Sequence, residues 1–234
     1  MKLDLLPLKQ LSSISPSQYN VLKTCPYRVI LSSTYKKPLL PYYPGGHLGN
    51  VIHECIRLIL TNQINNDEKF NTEWEKLVSI EENKLVKRGY ESYTPLKHSV
   101  KGYTMKKFAV KSLINRTDAR ASSKASDKNY RHEYPLNSGN GLIKGKADLI
   151  TETQERVTIT DFKSGRILKE DGEMKSEYED QLKLYALLYS ELEGKYPDEL
   201  IIADLNRKEY QIEFTINECE DLGKDAIRAM KYIN

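Results

Sequence analysis

Residues 158–166, "TITDFKSGR", decide how the chain is read. The stretch alternates as a buried strand does, and successive strand side chains point to opposite faces. Val157, Ile159, Asp161 and Lys163 therefore share one face, with Phe162 on the other. An acid and an amine project into the same space just before Ser164-Gly165 ends the alternation. A carboxylate beside an ammonium at a strand end can hold a divalent cation and stabilise developing negative charge, as phosphodiester hydrolysis requires. An isolated Asp-x-Lys is more commonly a solvated ion pair beside a turn, so its surroundings decide. Gly165 permits a positive backbone angle that carries the chain out of the sheet.

The neighbouring segments extend the pattern. "RHEYPLN" (131–137), "GLIKGKADLITET" (141–153) and "ERVTITDFK" (155–163) are short alternating runs separated by turn residues, which predicts an antiparallel meander. Lys144, Lys146 and Asp148 share one face, so a hairpin sets Asp148 beside Asp161. Two opposed carboxylates repel, whereas a bound divalent ion turns them into a site of hard oxygen ligands. Downstream, "EYEDQLKLYALLYSELEG" (177–194) has helical apolar spacing and stops at Gly194. Gln181 and Tyr185 lie on one side of that helix, with Leu188 continuing the stripe. A buried Gln needs a partner, and a phosphate or a metal-bound water would suit Gln181. "ELIIADL" (199–205) and "KEYQIEFTI" (208–216) predict two more strands joined at Asn206-Arg207, followed by a closing helix over 217–233.

The N-terminal half reads as helical. Ser15 is the expected N-cap, and Pro16 the first helical residue, of a helix in "SISPSQYNVLKTCPYRVILSS" (13–33). "PYYPGG" (41–46) reads as a loop and "HLGNVIHECIRLILTN" (47–62) as an apolar helix stopped by "NQINND". His53 follows Gly49 by four residues on that helix and so shares its side. Two amphipathic helices are predicted near 71–88 and 95–115, then an exposed connection over 116–129. Residues 97–131 are rich in Lys and Arg with interleaved Tyr, a composition suited to tracking a phosphate backbone. The order of elements predicts an α/β chain of the α+β type, a mixed central sheet flanked by helices with a helical N-terminal half. The helical region spans 1–130 and the sheet-bearing core 131–234, packed as one compact unit.

Composition bounds the function. The 234 residues hold 39% hydrophobic and 29% charged side chains, enough for a substantial core. The 36 basic and 33 acidic residues are too evenly balanced to identify a nucleic-acid partner by total charge. No apolar run reaches the ~18 residues of a membrane span, and no signal-peptide h-region is seen, so a cytoplasmic protein is expected. Cys25, Cys55 and Cys219 are odd in number and far apart, which argues against a disulfide framework or a zinc site and favours buried packing roles. There is no internal repeat and no P-loop.

Taken together, the "GxxxH" helix, "GxxD", "DFKSG" and "QxxxY", in that order, resemble the RecB-like branch of the PD-(D/E)XK nuclease superfamily, which includes CRISPR-associated exonucleases. The resemblance runs from "SPSQYNVLKTCPYR" to about Tyr185. It implies a restriction-endonuclease-like core and a DNA-cutting activity dependent on Mg²⁺ or Mn²⁺. It implies His53, Asp148, Asp161 and the backbone carbonyl of Phe162 as metal ligands, with Glu133 a further candidate on the first strand. Lys163 would activate water and stabilise the transition state; Gln181 and Tyr185 would orient DNA and the lysine. Arg28, Lys106, Lys107 and Arg166 are candidate DNA contacts, as is the "PYYPGGHLGN" segment. Many relatives hold an iron–sulfur cluster through one N-terminal and three C-terminal cysteines. Cys25 matches the first, but the C-terminal triplet is missing, so no cluster is expected. The closing helix would then clamp the N-terminal half by apolar contact. The expected substrate is single-stranded DNA or duplex ends, with a helicase or defence-system protein as candidate partner. A structure-dependent endonuclease and a DNA-end-binding accessory module stand as alternatives to an exonuclease.

Overall fold

A computed structural model of the chain describes residues 7–35, 43–114, 128–205 and 208–234. Ser15 caps helix α1 (Pro16–Thr24) through a reciprocal box, its hydroxyl accepting from the Gln18 amide while the Gln18 side chain accepts from the Ser15 amide. The helix that starts there is interrupted at Cys25. Pro26 supplies no N–H and drives Cys25 out of helical geometry, so α2 (Pro26–Thr34) begins anew. Cys25 is exposed at this break, correcting its expected packing role, whereas Cys55 and Cys219 are buried as expected.

The expected loop at 41–46 is also shorter than read, because α3 (Pro44–Leu60) already starts at Pro44. A first-turn proline gives up an amide that has no intrahelical acceptor there and brings a ready helical φ. Helix α4 (Asp67–Lys87) begins earlier than its apolar pattern, where the Asn66 side chain accepts from the Lys69 amide. The single helix expected over 95–115 is two pieces, α5 (Leu96–Ser99) and α6 (Tyr103–Lys111), separated by Gly102 at φ 74°. That left-handed turn suits glycine and ends helical continuity.

The sheet follows the order β1 (Asn129–Asn137), β2 (Lys144–Glu152), β3 (Val157–Lys163), β4 (Glu199–Asp204) and β5 (Glu209–Gln211). The first three strands form the expected antiparallel meander, and β4 pairs antiparallel with β5. β3 and β4 run parallel, joined through the crossover helix α7 (Ser176–Glu193), which makes the sheet mixed. α7 ends at Gly194 in the left-handed region, as its sequence position predicts. β5 is only three residues long, so most of the expected strand 208–216 is not strand. Residues 116–127 of the expected connection and the turn at 206–207 lie outside the described residues.

Two apolar cores meet at β3. α1, α7 and the closing helix α8 (Ile216–Tyr232) cover the sheet face that carries Ile150 and Ile159, with Leu184, Leu188 and Ala226 buried between them. α3, α4 and α6 form the second core around Ile52, Phe70, Trp74 and Val110. Phe162 packs into this second core while Ile159, on the opposite face of β3, belongs to the first. One strand thus anchors both halves, and burial of each large side chain contributes ~1.5–3 kcal/mol. The closing helix packs on α7 and α1, and the chain end adds a polar tie. Asn234 accepts from the Leu11 amide at 2.7 Å and donates to the Leu11 carbonyl at 2.8 Å. No helix among the described residues is long and apolar enough to cross a membrane.

Candidate active site

The end of β3 places Asp161 and Lys163 together, as the alternation predicts. The Lys163 Nζ lies 2.7 Å from Asp161 Oδ2, and Asp161 is only 3% exposed. Gln181, from the middle of α7, bridges the pair: its Oε1 accepts from Lys163 Nζ at 2.9 Å and its Nε2 donates to Asp161 Oδ1 at 3.1 Å. The same Nε2 lies 3.2 Å from the Tyr185 hydroxyl one turn later. The partner expected for Gln181 from outside the protein is therefore supplied from within, since the lysine and the carboxylate satisfy both ends of the amide. Tyr178 closes the remaining side, with Lys163 Nζ 4.7 Å from its ring centroid. The lysine is held by an anion, an amide oxygen and a ring face, and it stands 17% exposed at the head of a cleft.

Asp148 joins from β2. The register pairs Leu149 with Thr160, and its continuation by one residue sets Asp148 across from Asp161. The Phe162 amide donates to Asp148 Oδ2 at 2.8 Å, tying the carboxylate to β3. The Phe162 side chain, on the opposite face of β3, anchors the helical core. On the other side, His53 Nδ1 from α3 is 3.2 Å from the same Oδ2. Glu133 completes the row: pairs His132–Leu149 and Tyr134–Ala147 flank it, placing Glu133 opposite Asp148. Its backbone is in the left-handed region at φ 49°, a strained conformation for a non-glycine strand residue. Its carboxylate also meets Lys146 in an ion pair.

Ligand atoms of His53, Glu133 and Asp148 all lie within 4.8 Å of one another. An imidazole nitrogen and two carboxylates form a donor set that suits a hard or borderline divalent ion. A second observation agrees. Asp161 Oδ2 is buried and accepts no aligned hydrogen bond among the described residues, although Lys163 is close. Asp161 lies outside the group of three, but the sheet register sets it across from Asp148 with a buried oxygen that aligned hydrogen bonds do not saturate. These residues fit a divalent metal.

The electrostatics follow from this crowding. Burial raises the Asp161 carboxyl above the ordinary range; Lys163 opposes that rise, and Asp148 adds to it. For His53, burial alone would lower the imidazole, but the hydrogen bond and charge of Asp148, with Asp161 behind it, carry the balance upward. The Tyr185 hydroxyl is pushed up chiefly by burial and then by the Asp161 charge, so it stays neutral while accepting from Gln181 Nε2.

Gly145, three residues before Asp148, has a packing reason that the sequence pattern alone does not supply. A Cβ there would stand 2.7 Å from the Tyr185 ring and 3.1 Å from Pro16 Cδ. Gly49, four residues before His53, is looser, with a Cβ meeting only Ser164 Oγ at 3.7 Å. Gly165 does not take the positive angle expected of it and faces open space. The chain leaves β3 without a left-handed residue because Ser164-Gly165 leads into an open loop rather than a tight return.

The DNA-contact candidates separate. Lys106 and Arg166 line a cleft beside Lys163, whereas Arg28 and Lys107 are not in its wall. Lys107 instead pairs with Glu75 at 2.7 Å and lies over Trp74. Arg28 is exposed on α2. Two polar groups escaped the sequence reading. Tyr178 sits three residues before Gln181, a spacing that puts both on one helix face and was available as a signal. Glu81 falls on the buried stripe Trp74, Val78, Leu85 of α4 and meets His47 Nδ1 at 2.6 Å, a buried acid that the helical spacing exposes to view.

A sheet whose central strand presents Asp161 and Lys163, with acids on the two strands before it and a glutamine–tyrosine helix behind, has the arrangement of the restriction-endonuclease-like nuclease fold. The sequence profile of the PD-(D/E)XK nuclease superfamily matches residues 13–231, and the chain belongs to that superfamily. Among solved structures, it is similar to a protein from Eubacterium rectale described as a "Putative exonuclease", at TM-score 0.50 and 12% identity, covering 95% of this chain and 80% of that one. A further structure, SSO0001, aligns at TM-score 0.27 and 18% identity over 54% of this chain and 68% of that one. No curated relative matches.

Proposed function

We propose that the chain is a divalent-metal-dependent deoxyribonuclease of the RecB-like type, acting as an exonuclease on DNA ends or single strands in repair, recombination or defence. The observation that carries the reading is the closed set Asp161–Lys163–Gln181, with contacts of 2.7, 2.9 and 3.1 Å, beside the three ligand atoms of His53, Glu133 and Asp148. Those three residues, with Asp161, would hold Mg²⁺ or Mn²⁺, which supplies Lewis acidity toward water and phosphate oxygens.

The protein's own groups have distinct tasks. Lys163 is a fixed cation at the cleft head, so it can orient an attacking water and offset the charge that develops on the phosphate. Gln181 holds the ammonium in place while keeping the Asp161 carboxylate turned to the same centre. Tyr185, buried and neutral, sets the amide of Gln181 by hydrogen bond. Tyr178 shields Lys163 from solvent on its ring face and preserves its field. The protein of the same fold from Eubacterium rectale is described as a "Putative exonuclease", the mode proposed here for this chain.

The test is degradation of 5′-labelled and 3′-labelled single- and double-stranded DNA with Mg²⁺, Mn²⁺ or EDTA. Wild type should cut only with metal and release short labelled products from one end. Lys163→Ala and Asp148→Ala should both lose cleavage. Internal cutting would replace the exonuclease with an endonuclease, and DNA binding without cleavage under every metal would leave an end-binding module.

A further inference from the structure

A cleft of about 480 Å³ opens beside Lys163, between α6, the loop after β3 and the end of β4. Its volume lies within the ~300–1,000 Å³ of small-ligand pockets, enough for about one nucleotide and too small for a duplex. Among the described residues, Lys106, Lys163, Arg166 and Lys169 line it against one carboxylate, Asp204. That carboxylate is engaged with the Lys208 amide at 2.8 Å.

The cations differ in how they are employed. Lys163 is committed to Asp161 and Gln181, and Lys169 pairs with Glu173 at 3.0 Å. Arg166 is exposed, donates to the Lys169 carbonyl at 3.2 Å and reaches the Glu170 carboxylate at 3.8 Å. Lys106 is half-buried, and no carboxylate pairs with it among the described residues. Burial pushes its ammonium below the ordinary lysine value, with no acid to counter the shift. A desolvated ammonium without a counter-ion is costly, and an anion entering the cleft removes that cost. Met105 from α6 and Tyr210 from β5 also line it; Met105 is 76% exposed, and the Tyr210 ring carries the Lys208 ammonium 4.8 Å from its centroid. A flat base has a surface to lie on there.

We infer that this cleft is a nucleotide subsite, binding one phosphate-bearing nucleotide of the substrate strand with the phosphate on Lys106 and Arg166 and the base against Met105 and Tyr210. The inference rests on the nuclease reading for its place beside the cut, since Lys163 belongs to both. The subsite sets where a strand halts relative to the reacting centre: the phosphate held by Lys106 is a neighbour of the one being cut. The phosphate can be the terminal one of a DNA end or the next internal one, and the chemistry of recognition is the same for both.

The experiment is calorimetric titration of the full chain with deoxyadenosine 5′-monophosphate, deoxyadenosine and inorganic phosphate, all in EDTA, so that metal at the acidic cluster contributes nothing. Wild type should prefer the mononucleotide over either fragment. Lys106→Ala and Arg166→Ala should each weaken it by about 10-fold, the size expected for losing one charge-assisted hydrogen bond. Lys224→Ala, on α8, should change nothing. Equal binding of the nucleotide and the nucleoside, or full retention in Lys106→Ala and Arg166→Ala, overturns the subsite. Arg166 is exposed, so its variant reads binding without a folding penalty. Cleavage of 5′-phosphorylated and 5′-hydroxyl strands then assigns the source. A wild-type preference for the phosphorylated end that Lys106→Ala abolishes identifies a terminal phosphate, and an equal loss on both strands identifies an internal one. A chain that binds the mononucleotide through Lys106 but cuts no DNA overturns the nuclease reading alone, whereas cleavage with unaltered binding in both variants overturns the subsite alone.

Discussion

Glu133 concentrates the cost of the site in one residue. A left-handed backbone within a strand is unfavourable for any side chain with a Cβ, by roughly 1–2 kcal/mol, and its carboxylate is placed among the ligand atoms of His53 and Asp148. Strain at such a position is characteristic of functional sites. Glu133→Gly should therefore leave thermal stability unchanged or raise it by about 1 kcal/mol while weakening Mn²⁺ binding, which melting curves and titration of the same preparation would show. At Lys163, removal of the ammonium should lower the cleavage rate by about 10²–10³-fold, comparable to deletion of one preorganised charge-stabilising group. Single-turnover kinetics on a labelled strand would measure it. The pairing of these two residues with their roles was only partly open to the sequence. Alternation puts Asp161 and Lys163 on one strand face, and the ordered Asp148, Gln181 and Tyr185 motifs around them make the pair stand out from an ordinary solvated ion pair. Glu133 does not, since its placement depends on a backbone conformation that no residue type at 133 announces.

At the scale of single elements, packing explains what motif spacing only marks. Gly145→Ala should destabilise the protein by about 1–3 kcal/mol, the usual cost of overpacking, because its Cβ meets the Tyr185 ring at 2.7 Å. Cleavage should fall with it as Tyr185 and then Gln181 are displaced, and the melting temperature and rate of one variant would report both. Between α3 and α4, Glu81 accepts from His47, Asn50 and Lys84. Burial would raise its carboxyl, but those hydrogen bonds outweigh it and hold it below its ordinary 4.5. A depressed folded value means stability that is present above pH ~4.5 and lost as pH falls through the lower folded value. Acid melting of wild type should therefore show this loss, and Glu81→Ala should remove about 1–3 kcal/mol at neutral pH by deleting the acceptor that His47, Asn50 and Lys84 share, with a flatter acid limb. Helix identity was legible from period and caps at Ser15 and Gly194. Breaks at Cys25-Pro26 and Gly102 were harder to read, because a proline or glycine within an apolar pattern is resolved by tertiary packing.

Across the whole molecule, β3 is the element that joins two cores and carries Asp161 and Lys163. Ile159 faces the sheet-side core, Phe162 the helical one, and Asp161 and Lys163 stand at the strand end between them. The site therefore draws on both halves: His53 comes from the helical side, Asp148 and Glu133 from the meander, Gln181 and Tyr185 from the crossover helix. The meander, the crossover and the mixed sheet could be read from strand length and turn residues. The cleft beside Lys163 could not, because α6, the 164–172 loop and the end of β4 meet only in three dimensions. On the proposed function, the acidic cluster binds the metal on which cleavage depends. The most direct measurement is Mn²⁺ titration of wild type and Asp148→Asn, with DNA cleavage followed in the same samples. Binding near one ion per chain, lost together with cleavage in Asp148→Asn, is the predicted result. Cleavage that continues in EDTA, or Mn²⁺ binding that is unchanged in Asp148→Asn, would contradict it.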